Sequence, residues 1–196
     1  MAGWLAIDDG CRLYVGVPES PEARRKMVRS FLAERLGRGA GEVTLSATPA
    51  GQPVVEGHEG MAVSWSHRPG FLLIGAGRGR IGVDLECHRP FPVAEVAAAF
   101  FSRNERLAFG RLAPAERLSG FYLLWTLREA CLKALGLGLD APVAKELDFS
   151  ALLRNRTVPN EVAEPLRVPQ LGRGWMLSRL VCVKGQHLRV AKITAF

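Results

Sequence analysis

The sequence has little of what marks a secreted, membrane-spanning or zinc-binding chain. Its four cysteines are widely scattered and form no C-x-x-C pair. That spacing suits neither a zinc site nor a disulfide framework and indicates a reducing compartment such as the cytoplasm. The apolar runs at 71–77 and 121–127 are far shorter than the roughly 20 residues that cross a bilayer. Asp8 and Asp9 stand where a signal peptide needs an apolar stretch, so we expect neither a leader nor membrane association.

The charged side chains of the sequence are mostly arginine and are unevenly placed. The chain has 196 residues, of which 48% are hydrophobic and 23% charged, as in an ordinary soluble globular protein. Of the 26 basic residues 21 are arginine, and the net charge is +7. Residues 1–95 balance 11 basic against 11 acidic side chains, whereas 96–196 carry 15 against 8. An acidic protein, a nucleotide or a nucleic acid would each suit such a surface.

Local patterns predict one helix followed by short strands in the first half of the chain. Apolar residues at helical spacing, closed by a glycine, predict a helix over 21–37. Short apolar runs flanked by glycine and proline predict strands over 60–67, 70–77 and 80–86, arranged as a meander. The glycine-rich segment 75–80 lies between two of these strands, so we interpret it as a hairpin turn and not as a phosphate loop.

The second half repeats this mixture of helix and strand. Pro90 and Pro92 form the best candidate linker. One or two helices are predicted over 92–112 and a long one over 115–136, followed by strands on either side of a turn at Lys184-Gly185. We therefore predict an α+β fold built as a pseudo-two-fold duplication. Its two similar α/β halves, 1–89 and 90–196, would form one compact unit with the active site between them.

Two pairs of charged residues indicate a site for a hard cation and a phosphate. Asp84 and Glu86 are two residues apart on a predicted strand, so both side chains project from one face. Glu129 and Lys133 lie one turn apart on the long predicted helix, which is apolar almost all round. Mg2+ takes one or two protein carboxylates and completes its shell with water and substrate phosphates. This pattern favours phosphoryl or pyrophosphate chemistry, and Ser66, which precedes a histidine and an arginine, adds polar groups that suit a phosphate.

Five motifs in order resemble those of the 4′-phosphopantetheinyl transferases of the Sfp type. The family's signature pair of motifs is matched by two segments of this sequence, which are I-G-V-D-L-E at 81–86 and W-T-L-R-E-A-C-L-K-A-L-G-L-G-L at 125–139. Upstream and between them, G-Q-P-V-V at 51–55, S-W-S-H at 64–67 and F-F-S-R-N-E at 100–105 resemble further motifs of that family. The resemblance implies transfer of the phosphopantetheine arm of coenzyme A to a serine of an acidic apo acyl or peptidyl carrier protein. It also implies release of adenosine 3′,5′-bisphosphate, a need for Mg2+, and a monomer.

The resemblance also implies a role for each matched residue. Asp84, Glu86 and Glu129 would hold the Mg2+, and Glu129 would be the base for the carrier serine. Lys133 would bind the pyrophosphate and assist the departing nucleotide. The remaining coenzyme A contacts would be Ser66 and His67 at phosphates, Arg25 at the 3′-phosphate, and Gly51, Gln52, Pro53 and Val54 on the adenine side.

Several positions depart from the family pattern and two rival interpretations stay open. Arg128 replaces a usual lysine, Gln52 a common lysine, Ser64 a common asparagine, and Arg68 a usual serine. One rival is a basic nucleic-acid-binding module, although single-strand binders interleave exposed aromatics with basic residues. The other is a non-catalytic homologue that binds carrier proteins, although all three carboxylates and the lysine are present. On the transferase interpretation we expect no nucleic acid among the partners.

Overall fold

The computed structural model describes residues 3–154, 158–168, 172–183 and 186–195. The strands are β1 (Gly3–Asp8), β2 (Cys11–Val17), β3 (Leu45–Ala47), β4 (Pro53–Val55), β5 (Met61–Arg68), β6 (Gly70–Arg78), β7 (Arg80–Cys87), β8 (Glu161–Val168), β9 (Gly172–Val183) and β10 (Gln186–Ala195). The helices are α1 (Pro21–Leu36), α2 (Val93–Phe100), α3 (Arg103–Gly110) and α4 (Pro114–Leu135). Short 3-10 turns lie at Ala40–Glu42, Pro142–Lys145 and Ser150–Leu153.

The described strands form two four-stranded antiparallel sheets and one small hairpin. The first sheet has the order β1-β2-β6-β5, the second β7-β10-β9-β8, and β3 pairs with β4. Together with the four helices this confirms the predicted α+β class. The predicted duplication and the boundary at residue 89 stay predictions. Within the part of the chain described, none of the helices has the length and apolar character to cross a membrane.

The core explains why β6 is apolar on both faces. Leu72 and Ile74 pack with α1 on one face of the first sheet. Phe71 and Leu73, which alternate with them, pack against Val83 and other inner residues of the second sheet. The outer face of the second sheet is covered by α4. The molecule is therefore layered as helix, sheet, sheet and helix, and β6, which is covered on both faces, needs apolar residues at successive positions.

The two long helices begin and end within one residue of the predicted bounds, and capping signals lie at the start of α1 and at the end of α4. In α1 the Ser20 side chain accepts a hydrogen bond from the Ala23 N–H at 3.2 Å, and Pro21 occupies the first turn, where its missing N–H costs nothing. In α4 the chain leaves the helix at Gly136 with φ of +71°, a left-handed conformation that favours glycine. The predicted helices over 21–37 and 115–136 are confirmed.

The predicted three-stranded meander is wrong in its third strand. β5 and β6 pair as a hairpin, with Met61 opposite Arg78 and Arg68 opposite Phe71. β7, however, pairs along its length with β10, about a hundred residues away, and joins the second sheet. The segment 75–80 turns at Gly79, as expected, but its turn connects two sheets and is not a hairpin. The predicted strands near the carboxyl end are present as β9 and β10, and the turn predicted between them lies outside the described residues.

β7 and α4 are in direct backbone contact at Gly82. A methyl group on Gly82 would lie 1.8 Å from the carbonyl oxygen of Ala130 and 2.6 Å from the amide nitrogen of Ala134. No side chain fits there, so the strand lies flush against the helix. Two residues further along, Asp84 is on the same face of β7 and therefore points toward α4.

Candidate active site

The alternation along β7 places two carboxylates on the α4 side of the strand. Val83 and Leu85 face the first sheet and belong to the inner core, so Asp84 and Glu86 face the other way. Both acids are buried, with 3% and 8% of their surface exposed. Buried carboxylates need partners, and those partners define the candidate active site.

Asp84 is held from two sides and keeps one oxygen free of hydrogen bonds. Its Oδ1 accepts hydrogen bonds from Lys133 Nζ at 2.7 Å and from Ser66 Oγ at 2.9 Å. Its Oδ2 is buried and has no hydrogen-bond partner. Lys133 Nζ also donates to the carbonyl oxygen of Val83 at 3.3 Å. An ammonium has three protons, so one donor of Lys133 remains for a ligand.

Glu86 is paired with Arg68, which enters from the end of β5. Arg68 Nε donates to Glu86 Oε2 at 2.9 Å, and Nη2 forms a second, ionic hydrogen bond to Oε1. Burial raises the pKa of Glu86, the Arg68 bond opposes that change, and the Asp84 charge adds to it. Sequence reasoning noted Arg68 as a departure from the family pattern and as one of the polar groups that suit a phosphate, and it missed this ion pair.

α4 supplies the remaining wall of the cavity. Trp125, Glu129 and Lys133 follow one another at intervals of one helical turn and therefore share a face. Burial raises the pKa of Glu129, Asp84 and Glu86 raise it further, and Lys133 and Arg68 act in the opposite direction. A cavity of about 300 Å3 is lined by Trp65, Ser66, His67, Arg68, Asp84, Glu86, Trp125, Glu129 and Lys133. The structure thus brings all three predicted carboxylates and the predicted lysine to one cavity.

The predicted adenine-side residues line a second cavity beside Lys133. Gly51, Gln52 and Pro53, in the β3–β4 connection and at the start of β4, line a space of about 300 Å3 together with Lys133 and residues after α4. Gln52 Nε2 donates to the carbonyl oxygen of Lys133 at 3.4 Å, which links the small hairpin to the end of α4. Val54 is 37% exposed and does not line this cavity.

Of two adjacent arginines of α1, Arg24 lines the site region and Arg25 does not, while the contact predicted between Arg25 and the 3′-phosphate stays a prediction. Arg24, His67 and Arg68 line a third cavity of about 260 Å3. Arg25 is exposed and does not line it, because one residue along a helix turns the side chain by about 100°. The side chain of His67 stays exposed, yet partial desolvation lowers its pKa, and the charges of Arg24 and Arg68 lower it further.

The oxygen atoms of Asp84, Glu86 and Glu129 are of the type that binds a hard divalent cation, but the three carboxylates are not close enough together in the structure to form a complete metal site. Within the described ranges no group of three or more histidine, cysteine, aspartate or glutamate side chains is close enough to hold a metal ion. The carboxylate oxygens are hard donors, and the buried, unpartnered Oδ2 of Asp84 is the kind of atom that a cation would satisfy. Mg2+ needs only one or two protein carboxylates when substrate oxygens complete its shell, so the donor set fits.

Comparison with known proteins supplies the family. A family model described as the 4′-phosphopantetheinyl transferase superfamily matches residues 80–178, half of the chain. The chain belongs to this superfamily. It is 31% identical over 118 residues to 4′-phosphopantetheinyl transferase ffp of Bacillus subtilis, covering 60% of the chain and 52% of that protein. The family predicted from the sequence motifs is confirmed.

Other curated relatives carry the same description. Over 130 residues the chain is 32% identical to 4′-phosphopantetheinyl transferase HetI of Nostoc sp., covering 61% of the chain and 55% of the relative. Over 117 residues it is 26% identical to 4′-phosphopantetheinyl transferase Sfp of Bacillus subtilis strain 168, covering 60% and 52%. The chain thus spans about half the length of the curated relatives it matches.

Proposed function

We propose that the chain transfers the 4′-phosphopantetheine moiety of coenzyme A to a serine of an apo acyl or peptidyl carrier protein. The other product is adenosine 3′,5′-bisphosphate, and the reaction requires Mg2+. One observation supports this most strongly. Lys133 and Asp84, 49 residues apart in the sequence, are hydrogen-bonded at the wall of a cavity that Glu86 and Glu129 also line. Membership of the superfamily supplies the reaction class.

Coenzyme A would be held by groups on three sides of the cavity. The free donor of Lys133 would bind the pyrophosphate, and Gly51, Gln52 and Pro53 would flank the adenine. Ser66 donates its one hydroxyl proton to Asp84 Oδ1 and would thereby position that carboxylate. Arg24 and His67 would bind the 3′-phosphate in place of the predicted Arg25. The mixed cavity of about 460 Å3 that shares Arg68, Glu86 and Trp125 with the site has the apolar wall that a pantetheine chain needs.

The chemical step is an attack of the carrier serine on the β-phosphorus of coenzyme A. The new Oγ–P bond forms as the bond from phosphorus to the bridging oxygen breaks, and the electron pair stays with adenosine 3′,5′-bisphosphate. Glu129 takes the serine proton, directly or through water, because the raised pKa of its carboxyl improves its match to this task. Lys133 neutralises the charge that develops on the leaving oxygens.

The candidate cation ligands are the three carboxylates Asp84, Glu86 and Glu129. When bound, Mg2+ supplies Lewis-acid polarisation of the pyrophosphate. Lys133 holds the Asp84 carboxylate in place through Oδ1 and leaves Oδ2 for the cation. Residues of β5, β7 and α4 thereby form one site from both parts of the chain.

The finer architecture and setting remain part of this proposal. We propose that residues 1–89 and 90–196 form two related halves with the cavity between them, and that the chain acts as a monomer. The described cysteines Cys11, Cys87 and Cys131 are free thiols, which accords with the reducing cytoplasm. The basic second half would attract the acidic carrier protein and speed the encounter.

Intact-protein mass spectrometry tests the proposed reaction. An apo carrier protein is incubated with the chain, coenzyme A and Mg2+, and a second reaction contains EDTA. We expect the carrier to gain the mass of one phosphopantetheine arm in the first reaction only. Coenzyme A binding without any mass gain across several carrier classes would favour the non-catalytic homologue. Absence of coenzyme A binding, measured by calorimetry, would overturn the proposal.

A further inference from the structure

The cavity of about 460 Å3 adjoins the candidate site and leads away from it along α4. Trp125 lines both cavities, and Tyr122, about one helical turn before it, lines only the larger one. At a rise of 1.5 Å per residue, Tyr122 lies about 10 Å along the helix axis from Glu129 and about 16 Å from Lys133. The cavity therefore extends well away from the residues that would hold the pyrophosphate.

The length of the pantetheine arm places its sulfur near Tyr122. The arm has thirteen bonds from phosphorus to sulfur and spans about 15 Å when extended, at about 3.5 Å for every three bonds. With the phosphorus near Glu129 and Lys133, an arm that follows the cavity would bring its sulfur to the level of Tyr122. A group attached to the sulfur would then meet the residues at that end of the cavity.

Arg89 lies at that end and is held there by Tyr122. The Tyr122 hydroxyl donates to the carbonyl oxygen of Arg89 at 3.2 Å and accepts from its N–H at 3.4 Å, and both residues line the cavity. Burial raises the pKa of the Tyr122 hydroxyl, whereas the backbone hydrogen bond and the positive charge of Arg89 lower it. The guanidinium of Arg89 is therefore close enough to act on this part of the cavity.

The charge of Arg89 is the one that the cavity leaves uncompensated. The other two charged residues of the lining, Arg68 and Glu86, form a two-pronged ion pair and neutralise each other. Arg89 forms no ion pair with any residue of the described ranges. Apolar side chains such as Phe91 and Val96 line the space beside it. A short hydrocarbon chain that ends in a carboxylate suits this arrangement, because a guanidinium binds a carboxylate through two parallel hydrogen bonds.

We propose that the chain uses coenzyme A thioesters of dicarboxylic acids as donors, and that Arg89 recognises their free carboxylate. This inference rests on the proposed function and adds the class of acyl group to it. The acyl group stays on the sulfur during transfer, and the only bonds exchanged are those at the β-phosphorus, so no further reactant is needed. A neutral acyl group of the same shape would fill the cavity but leave Arg89 without a partner.

The test compares malonyl-coenzyme A with isovaleryl-coenzyme A, which has two methyl groups in place of the two carboxylate oxygens. Isothermal titration calorimetry with Mg2+ and without a carrier protein gives the Kd of each. We expect the ratio of the isovaleryl Kd to the malonyl Kd to fall about fivefold in R89Q, the upper range for an exposed charge pair. In R89K the ratio should fall less, because a lysine keeps the charge but not the planar fork.

A matched control removes the same charge elsewhere. Arg111 is exposed at the end of α3 and does not line the cavity. R111Q should therefore keep the wild-type ratio. Each Kd is also compared with that of plain coenzyme A, so that a general loss of phosphate binding cancels from the ratio. Thermal unfolding shows that each variant is folded.

Distinct results would overturn the inference and the proposed function. If R89Q keeps the wild-type ratio, Arg89 does not recognise the carboxylate and the inference is wrong. If R89Q instead raises the KM for the carrier protein equally with all three donors, Arg89 contacts the carrier and the inference is again wrong. In both cases binding of coenzyme A by the wild type keeps the proposed function. A wild type that binds none of the three donors would overturn both.

Discussion

Two ionic clusters lie around adjacent residues of α4, and they differ in whether they line the cavity of the candidate site. Arg128 is fully buried and forms an ion pair with Glu105, which is also fully buried. Arg128 Nη2 also donates to the carbonyl oxygen of Leu147 at 3.2 Å, and Glu105 accepts hydrogen bonds from backbone amides of Ser102 at 2.8 Å and Phe149 at 3.0 Å. This first cluster joins α3, α4 and the turns after α4.

The second cluster, around Glu129, lines the cavity and includes a carboxylate oxygen that accepts no hydrogen bond. Asp84 has one unpartnered oxygen, and burial together with two neighbouring carboxylates raises the pKa of Glu129. Each cluster has one buried atom without a hydrogen-bond partner, Nε of Arg128 and Oδ2 of Asp84, and of these two residues Asp84 lines the cavity of the candidate site, where a ligand could satisfy it. We therefore expect the Arg128 cluster to hold the fold and the Glu129 cluster to serve the proposed binding of a ligand. Substitutions on the two sides should therefore affect different measurements.

The largest expected effect is on transfer by a Glu129→Gln variant. Loss of the proposed base should lower the rate of transfer by about 10²–10⁴-fold, the usual contribution of a positioned acid or base. The free energy of unfolding at neutral pH should not fall, because a charge is removed that burial and its carboxylate neighbours disfavour. Mass spectrometry of the carrier and urea unfolding measure the two quantities. A variant with full transfer activity would contradict the base assignment.

The next effect is on folding, in an Arg128→Met variant. It leaves the buried Glu105 without its counter-ion, which typically costs about 3–5 kcal/mol of the free energy of unfolding. Urea unfolding measures this loss. A double substitution, Arg128→Met with Glu105→Gln, should recover much of it because no unpaired charge remains. Equal stability of Arg128→Met and the wild type would show that the first cluster does not hold the fold.

Sequence patterns predicted the parts of this molecule whose signals are local. Ser20 and Pro21 at the start of one helix, and Gly136 at the end of another, mark boundaries that depend only on neighbouring residues. The pairing of β7 with β10 depends on contacts about a hundred residues apart, which no short pattern contains. The meander was therefore the natural but incorrect expectation.

The candidate site was predictable to a similar degree. Spacing placed Asp84 beside Glu86 and Glu129 beside Lys133, and their shared suitability for a cation and a phosphate associated the two pairs before the motif resemblance supported the association. The role of Arg25 came from the motif resemblance, and motifs do not distinguish it from the adjacent Arg24, which lines the third cavity in the structure. The burial of Arg128 depends on carbonyl groups of the irregular segment after α4, and such segments have no periodic signal.

A pH-dependent contact on α4 sharpens the comparison further. His88 stacks on Tyr122 with ring centroids 4.5 Å apart, and burial lowers its pKa to about 4, with Arg189 and His187 adding to the effect. His88 is therefore protonated less readily in the folded chain than in the unfolded chain, where its pKa has the ordinary value of 6.5. The stabilising contribution is present above that value and is lost as pH falls from 6.5 toward 4.

The measurement for this contact is urea unfolding across that pH range, with His88→Phe as the variant. The phenylalanine keeps the ring stack but does not titrate. We expect the wild type to lose more free energy of unfolding than the variant on acidification. Parallel curves would show that His88 does not contribute, and coenzyme A binding at neutral pH serves as the control for the site.

The smallest expected effect compares adjacent arginines of α1. An Arg24→Ala variant should bind coenzyme A about tenfold more weakly, since hydrogen bonds to charged groups contribute about 1.5–3 kcal/mol. Arg25→Ala is its matched control and should bind coenzyme A like the wild type, because Arg25 lies outside the cavity. Isothermal titration calorimetry measures both. A larger loss for Arg25→Ala would reverse the assignment and restore the sequence-based prediction.

The close contact between β7 and α4 at Gly82 affects the distances between the charged groups of the cavity. The strand and the helix touch backbone to backbone, with Gly82 against Ala130, and this close approach accompanies the hydrogen bond of 2.7 Å between Lys133 and Asp84. The width of the cavity therefore depends on Gly82, which is not one of the residues that line it. A methyl group at Gly82 would push β7 and α4 apart. The functional side chains would all still be present, but the distances between those on β7 and those on α4 would increase.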